Sequence, residues 1–177
     1  MKPLPERLES DRLSIRCAAP GDARALYDGV LETLAELRAW GSSLPWALAE
    51  PSVQASERYC RESQGEFRAG KSLPMLLWLK TTGEFVGCCG LHGLDGRGGR
   101  LEIGYWCRRH YQGLGLMSEA VRSMTALALG ELGATCVDAI IDTQNRASRR
   151  VCEAAGYRLA QDGNEAPGRI RYMASRD

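Results

Sequence analysis

Net charge is nearly missing from this chain. Its 23 lysine and arginine residues are offset by 22 aspartate and glutamate residues, which leaves +1 over 177 residues. A general binder of nucleic acid or anionic membrane carries a basic excess, so neither partner is expected. Histidine is scarce, with only His92 and His110. The seven cysteines are Cys17, Cys60, Cys88, Cys89, Cys107, Cys136 and Cys152, and no two are spaced Cys-x-x-Cys. Zinc sites of the usual spacing are therefore excluded. Reduced core thiols in a cytoplasmic protein account for them. The first twelve residues contain no apolar stretch of the kind a secretory signal needs. No apolar run approaches the length of a membrane span. Repeats, low-complexity tracts and linkers are missing too. What remains is ordinary globular material, 44% apolar and 25% charged, which excludes wholesale disorder. One domain over residues 1–177 is expected.

Patterning supplies the elements. Leu8 to Arg16 alternates from Arg12 onward and predicts one strand. Asp22 after Pro20-Gly21 is placed to cap a helix from Ala23 to about Ala39, and a second helix is expected over Val53 to Ala69. Three strands follow, Leu73–Lys80, Phe85–Leu91 and Arg100–Cys107, separated by turns at Thr81–Glu84 and Asp95–Gly99. Met117, Ala120, Val121, Met124, Leu127, Ala128 and Leu132 recur at helical spacing. A strand at Cys136–Asp142, a helix at Asn145–Ala155 and strands at Tyr157–Ala160 and Ile170–Ala174 complete the order. This is an α/β domain with a mixed sheet.

Between the Arg100–Cys107 strand and its helix lies Tyr111-Gln112-Gly113-Leu114-Gly115-Leu116-Met117. A helix start offers unpaired N–H groups and the positive end of a dipole, which suits a diphosphate. Glycine permits close approach and unusual backbone angles. Ser118 adds a hydroxyl, and Arg108 and Arg109 stand just upstream to meet phosphate charge. A ligand-free strand-to-helix turn explains two glycines equally well. The Walker pattern and the three-glycine dinucleotide fingerprint are both missing.

Four segments in order narrow the choice. They are Glu102-Ile103-Gly104-Tyr105-Trp106, Gln112 through Ala120, Asn145-Arg146-Ala147-Ser148, and Cys152-Glu153-Ala154-Ala155-Gly156-Tyr157. Together they resemble the GNAT superfamily of N-acetyltransferases, and most of all its Rim-type branch, which acetylates ribosomal-protein N-termini. Gln112-x-x-Gly115-x-Met117 is similar to the superfamily's Gln/Arg-x-x-Gly-x-Gly/Ala signature, with Met in the last place. The resemblance spans most of the chain.

The resemblance implies a GNAT-like fold with a mixed, mostly antiparallel seven-stranded sheet, about four helices and splayed central strands. It implies acetyl-CoA as co-substrate, transfer to a primary amine by direct attack, and no metal. Tyr105, Trp106 and Cys107 would pair with the pantetheine arm. Gln112, Gly113, Leu114, Gly115, Leu116, Met117 and Ser118 would take the pyrophosphate. A backbone N–H near Trp106 or Cys107 would face the oxyanion. Glu102 is the candidate base, directly or through a water; the alternative is a surface charge. The family commonly places an acidic tyrosine about seven residues after its helix asparagine, and this chain has Cys152 there. Ser148, on one helix face with Asn145, is the branch's other candidate to protonate the thiolate. Asn145 bonds the pantetheine, caps its helix, or both. Cys152 as a nucleophile is weighed against Cys152 as core, and core is favoured.

The acceptor is either a protein N-terminus or a small-molecule amine. The Trp40–Pro51 loop, the second helix and the turn near Gly163 should set specificity. Trp40, Trp46 and Tyr59 are pocket or core residues, and Arg38 and Arg58 bind a carboxylate or lie in solvent. Members of this branch are often dimers, so a homodimer is a further expectation. The rival readings are a non-catalytic acyl-CoA sensor and a nucleotide-binding domain.

Overall fold

In the computed structural model, which describes residues 4–94, 96, 99–161 and 165–176, the opening segment is a hairpin rather than one strand. Strands β1 (Arg7–Glu9) and β2 (Leu13–Cys17) pair antiparallel, with Leu8 opposite Ile15. Ser10 makes the turn: its N–H donates to the Leu13 carbonyl at 2.9 Å, and its hydroxyl accepts the Leu13 N–H at 3.2 Å. Serine bonding its local backbone favours turns over ladders. Among the described residues the sheet consequently has eight strands instead of seven.

The other strands are β3 (Ser72–Leu79), β4 (Phe85–His92), β5 (Arg100–Cys107), β6 (Cys136–Asp142), β7 (Arg158–Leu159) and β8 (Arg169–Ser175). Their spatial order is β1-β2-β3-β4-β5-β6-β8-β7. Every neighbouring pair is antiparallel except β5–β6. That parallel step needs a crossover, which helix α3 (Leu116–Gly130) supplies. Helices α1 (Ala23–Ala39) and α2 (Val53–Arg68) cover one face of the sheet, and α3 with α4 (Arg146–Ala154) covers the other. Strand β3 is accordingly apolar on both sides: Leu73, Met75 and Leu77 join the α3 core, while Leu76 joins the α1–α2 core. The turn expected at Asp95–Gly99 lies mostly outside the described residues.

Strand β5 is bound differently on its two sides. Pairing of β5 with β6 runs from Arg100–Cys136 to Glu102–Asp138 and stops, although both strands continue. The central strands therefore splay, as expected. The Arg108 N–H donates to the Val86 carbonyl at 2.8 Å. By the two-residue alternation, Glu102, Gly104 and Trp106 turn their backbone groups to β4, and Ile103, Tyr105 and Cys107 turn theirs into the gap. On the β4 side the approach is tight: a Cβ on Gly87 would lie 2.3 Å from the Trp106 carbonyl oxygen.

Asp22 does not cap α1 through its side chain. Its carboxylate instead takes both Arg16 guanidinium nitrogens, at 2.7 and 2.8 Å, and the Ala19 N–H. No helix among the described residues is long and apolar enough to cross a membrane.

Candidate active site

Helix N-termini in this chain are finished in different ways. Ser52 accepts from Ala55 N at α2, and Asn145 accepts from Ser148 N at α4. Helix α3 starts from Gly115, which has no side chain to offer. Gly113 (φ +75°) and Gly115 (φ +76°) are both left-handed, which aims the following N–H groups outward. Among the described residues, none of the N–H groups of residues 113–118 donates to a protein acceptor. Such a fan of free donors at a dipole's positive end is shaped to hold an anion.

The cation beside this turn is not the one the sequence suggests. Arg108 pairs with Glu32 at 2.7 Å and Arg109 with Glu36 at 2.5 Å, so both tie the strand exit to α1. Arg12 takes their place: Nη1 donates to the Leu114 carbonyl at 2.9 Å, and Nη2 lies 3.5 Å from where a Gly115 Cβ would be. Its Nε bonds Glu119 at 2.7 Å. Burial pushes the Glu119 carboxyl up, but hydrogen bonds from Ser10 and Arg12 outweigh it and hold it below the usual range. Gln112 donates to the Cys107 carbonyl at 3.0 Å and ties the turn to β5. Leu116 and Met117 are buried in the α3 core, so they serve this turn through their backbone.

The β5–β6 gap is a cavity of about 190 Å³ lined by Glu102, Tyr105, Asp142, Asn145 and Ser148 among others. Asn145 caps α4 with its carbonyl oxygen, which leaves its amide NH₂ toward the gap. The Tyr105 hydroxyl reaches across to α4, donating to the Ser148 carbonyl at 2.9 Å and lying 3.1 Å from Cys152 Sγ. Burial drives the Tyr105 phenol far up, so it stays protonated. Cys152 is fully buried behind it, and burial pushes its thiol up to about 11. A buried protonated thiol is a core residue, not a nucleophile.

On the opposite face of β5 is a larger cavity, about 570 Å³, between α1, α2 and the sheet. Leu26, Val30, Leu34, Trp46, Tyr59 and Trp106 supply much of its apolar wall. Trp46 lies on the 3₁₀ turn Pro45–Leu48. Arg38 holds that turn from a part-exposed position, donating to the Ala47 carbonyl at 3.1 Å and to the exposed Glu50 at 2.9 Å. Trp40 lines the smaller cavity instead. The turn near Gly163 lies outside the described residues.

Both cavities are lined by Ser43, Leu44, Glu102, Gly104 and Tyr105. They meet over β5. Glu102 carries no ion pair or hydrogen bond through its side chain among the described residues.

Two residues at this junction escape a reading of the sequence. His92 pairs with Glu102 across β4–β5, and its Nε2 lies 3.6 and 3.7 Å from where Cβ atoms on Gly90 and Gly104 would be. Only the strand register puts an imidazole beside that carboxylate. Ser43 Oγ is buried with no hydrogen-bond partner. No local pattern marks it. Among the described residues no group of three or more His, Cys, Asp or Glu side chains gathers as a metal site.

Residues 12–158 match the family model of the acetyltransferase (GNAT) domain. The uncharacterized protein YkkB of Bacillus subtilis strain 168 is 30% identical over 160 residues, 88% of this chain and 87% of YkkB. An uncharacterized N-acetyltransferase of Bacillus licheniformis, p20, is also 30% identical; its match spans 95 residues, 52% of this chain and about half of p20, 53%. Among solved structures, RimL, a ribosomal alpha-N-protein acetyltransferase in complex with coenzyme A, superposes with a TM-score of 0.81. It covers 96% of this chain and 98% of RimL at 19% identity, a likeness of fold.

Proposed function

The chain belongs to the GNAT acetyltransferase family, and from that premise we propose that it transfers the acetyl group of acetyl-CoA to a primary amine by direct attack over β5. The observation that carries this reading is the meeting of two cavities at Glu102. One cavity is continuous with a splayed strand gap and the other has an apolar wall. A thioester entering from one side and an amine from the other would react there.

Each part of the chain then has a role. Residues 113–118 hold the pyrophosphate on backbone N–H groups, helped by Arg12. Tyr105 and Cys107 offer backbone groups of β5 to the pantetheine arm; Trp106 turns its own to β4 and contributes its ring to the acceptor side. Acetyl-CoA brings an already activated acyl group. Glu102 takes the proton from the attacking ammonium, with His92 beside it as a second acceptor. The Cys107 N–H, turned into the gap, is the candidate donor to the developing oxyanion; it lies about 16 Å along β5 from Glu102, so the proton reaches that carboxylate through water. Ser148 is the donor to the departing sulfur. The Tyr105 hydroxyl cannot share that role, because it is occupied by the Ser148 carbonyl and Cys152.

Release of free thiol from acetyl-CoA in the presence of amines tests the transfer. Coenzyme A binding without thiol release across peptides, polyamines and aryl amines would favour the sensor reading and sink this one. Ser148→Ala should lower kcat by about 100-fold or more, the range of lost general-acid help, and leave coenzyme A affinity unchanged. An unaltered kcat removes Ser148 from the chemistry.

A further inference from the structure

The larger cavity says what kind of amine it takes. Its charged lining is Glu50, Arg58, Glu62, His92 and Glu102. Glu50 is paired with Arg38. Arg58 and Glu62, four apart on α2, form no ion pair among the described residues, although their charges cancel by count. With Glu50 paired, the lining carries about one net negative charge, and the carboxylate at the junction is Glu102, so the site matches a single ammonium rather than a polycation. The rest of the wall is apolar and aromatic. Trp46, although 46% exposed, has its ring 6.1 Å from Trp106, and a row of rings continues through Phe85 to Trp78. An exposed tryptophan at the mouth of an apolar cavity marks a binding surface.

We propose that the acceptor is a primary amine carried on an aromatic body, the ring lying against Trp46, Tyr59 and Trp106 and the nitrogen at Glu102. This rests on the transfer reading above. Such an amine has two sources, a free arylalkylamine or a peptide that begins with an aromatic residue. The test compares tryptamine, a tripeptide beginning with tryptophan, a tripeptide beginning with serine, and spermidine. The aromatic arms should exceed the other two in kcat/KM by about tenfold or more, the scale of apolar-pocket discrimination. Whichever aromatic arm leads identifies the source. Trp46→Ala should raise the KM of the leading arm and leave that of acetyl-CoA unchanged. Spermidine or the serine peptide matching the aromatic arms overturns the proposal. Calorimetric binding of the same four to the protein with coenzyme A decides independently of turnover. Aromatic-selective binding without thiol release would keep the aromatic amine site but sink the transfer reading and with it the amine's role as acceptor; equal binding of all four overturns this proposal.

A second, separate observation carries an inference that also rests on the transfer reading. Ser43 Oγ is buried, unpartnered and on the boundary of both cavities. Its loop is anchored: Ser43 N donates to the Trp40 carbonyl at 2.8 Å, and Arg169 donates to the Ser42 carbonyl at 2.8 Å. A buried hydroxyl without a partner is destabilising, and it persists where a ligand satisfies it. We infer that Ser43 donates to the acyl oxygen of the bound thioester. Carbonyl-labelled acetyl-CoA should then show a downfield carbon-13 shift on binding that is reduced in Ser43→Ala. The variant should also lose about 100-fold in kcat, the effect of one oxyanion donor, with no fall in melting temperature. An unchanged carbon shift overturns the inference. A lowered melting temperature with unchanged kcat would make the hydroxyl structural instead.

Discussion

Glu102→Gln should lower kcat/KM for the preferred amine by about 100- to 1,000-fold, the loss expected for a general base. Coenzyme A affinity should not change. The amide keeps the size of the side chain and removes the charge. Glu102 sits at the last residue pair before β5 and β6 part, so its backbone is fixed while its side chain faces both cavities. With no ion pair or hydrogen bond to lose among the described residues, the variant should fold normally. Steady-state thiol release, with calorimetry for coenzyme A, measures both halves. A loss under threefold would place the proton acceptor elsewhere, and His92, its cross-strand neighbour, would be next to replace.

Gly115→Val should abolish measurable coenzyme A binding, or weaken it at least tenfold. The residue is left-handed at φ +76°, where a side chain costs about 1–2 kcal/mol and a β-branched one is strongly disfavoured. The added carbon would lie 3.5 Å from Arg12 Nη2, an ordinary contact, so the strain is that of the backbone. Its relief re-aims the N–H groups of Leu116 to Ser118. Isothermal titration with coenzyme A, beside a thermal melt, separates the two effects. Unaltered affinity in a destabilised protein would mean that the phosphates are held elsewhere.

Legibility in the sequence followed the range of each interaction. The α3 stripe was readable because helical spacing is local: six of its seven predicted residues, Met117 to Ala128, are buried, while Leu132 lies beyond the helix end at Gly130 and is only partly buried. The two-glycine turn was readable for the same reason. Pairings between elements were not. Arg108 and Arg109 look like phosphate ligands next to the turn, yet acids on α1, more than 70 residues earlier, claim them. Arg12 reaches the turn from the opposite end of the chain, across 102 residues to Leu114. Asp22 had the chemistry of a helix cap, but Arg16 was a stronger partner for a buried carboxylate. Ser10 split the opening strand by bonding its own turn. The empty place of the expected tyrosine was visible at Cys152; that a tyrosine of β5 lies against the same thiol was not.

The parted strands also bear on how the folded state is held. Beyond Glu102 the two halves of the sheet are no longer laced together, and Ile103, Tyr105 and Cys107 present main-chain groups to an internal edge. An amide-bearing arm bound there, as proposed, would act as a missing strand and rejoin the halves. Mass action then links folding to the ligand: at one hundred times its dissociation constant, it adds about 2.7 kcal/mol to stability. The resistance of this chain to heat and proteolysis would thus rise and fall with the supply of coenzyme A around it.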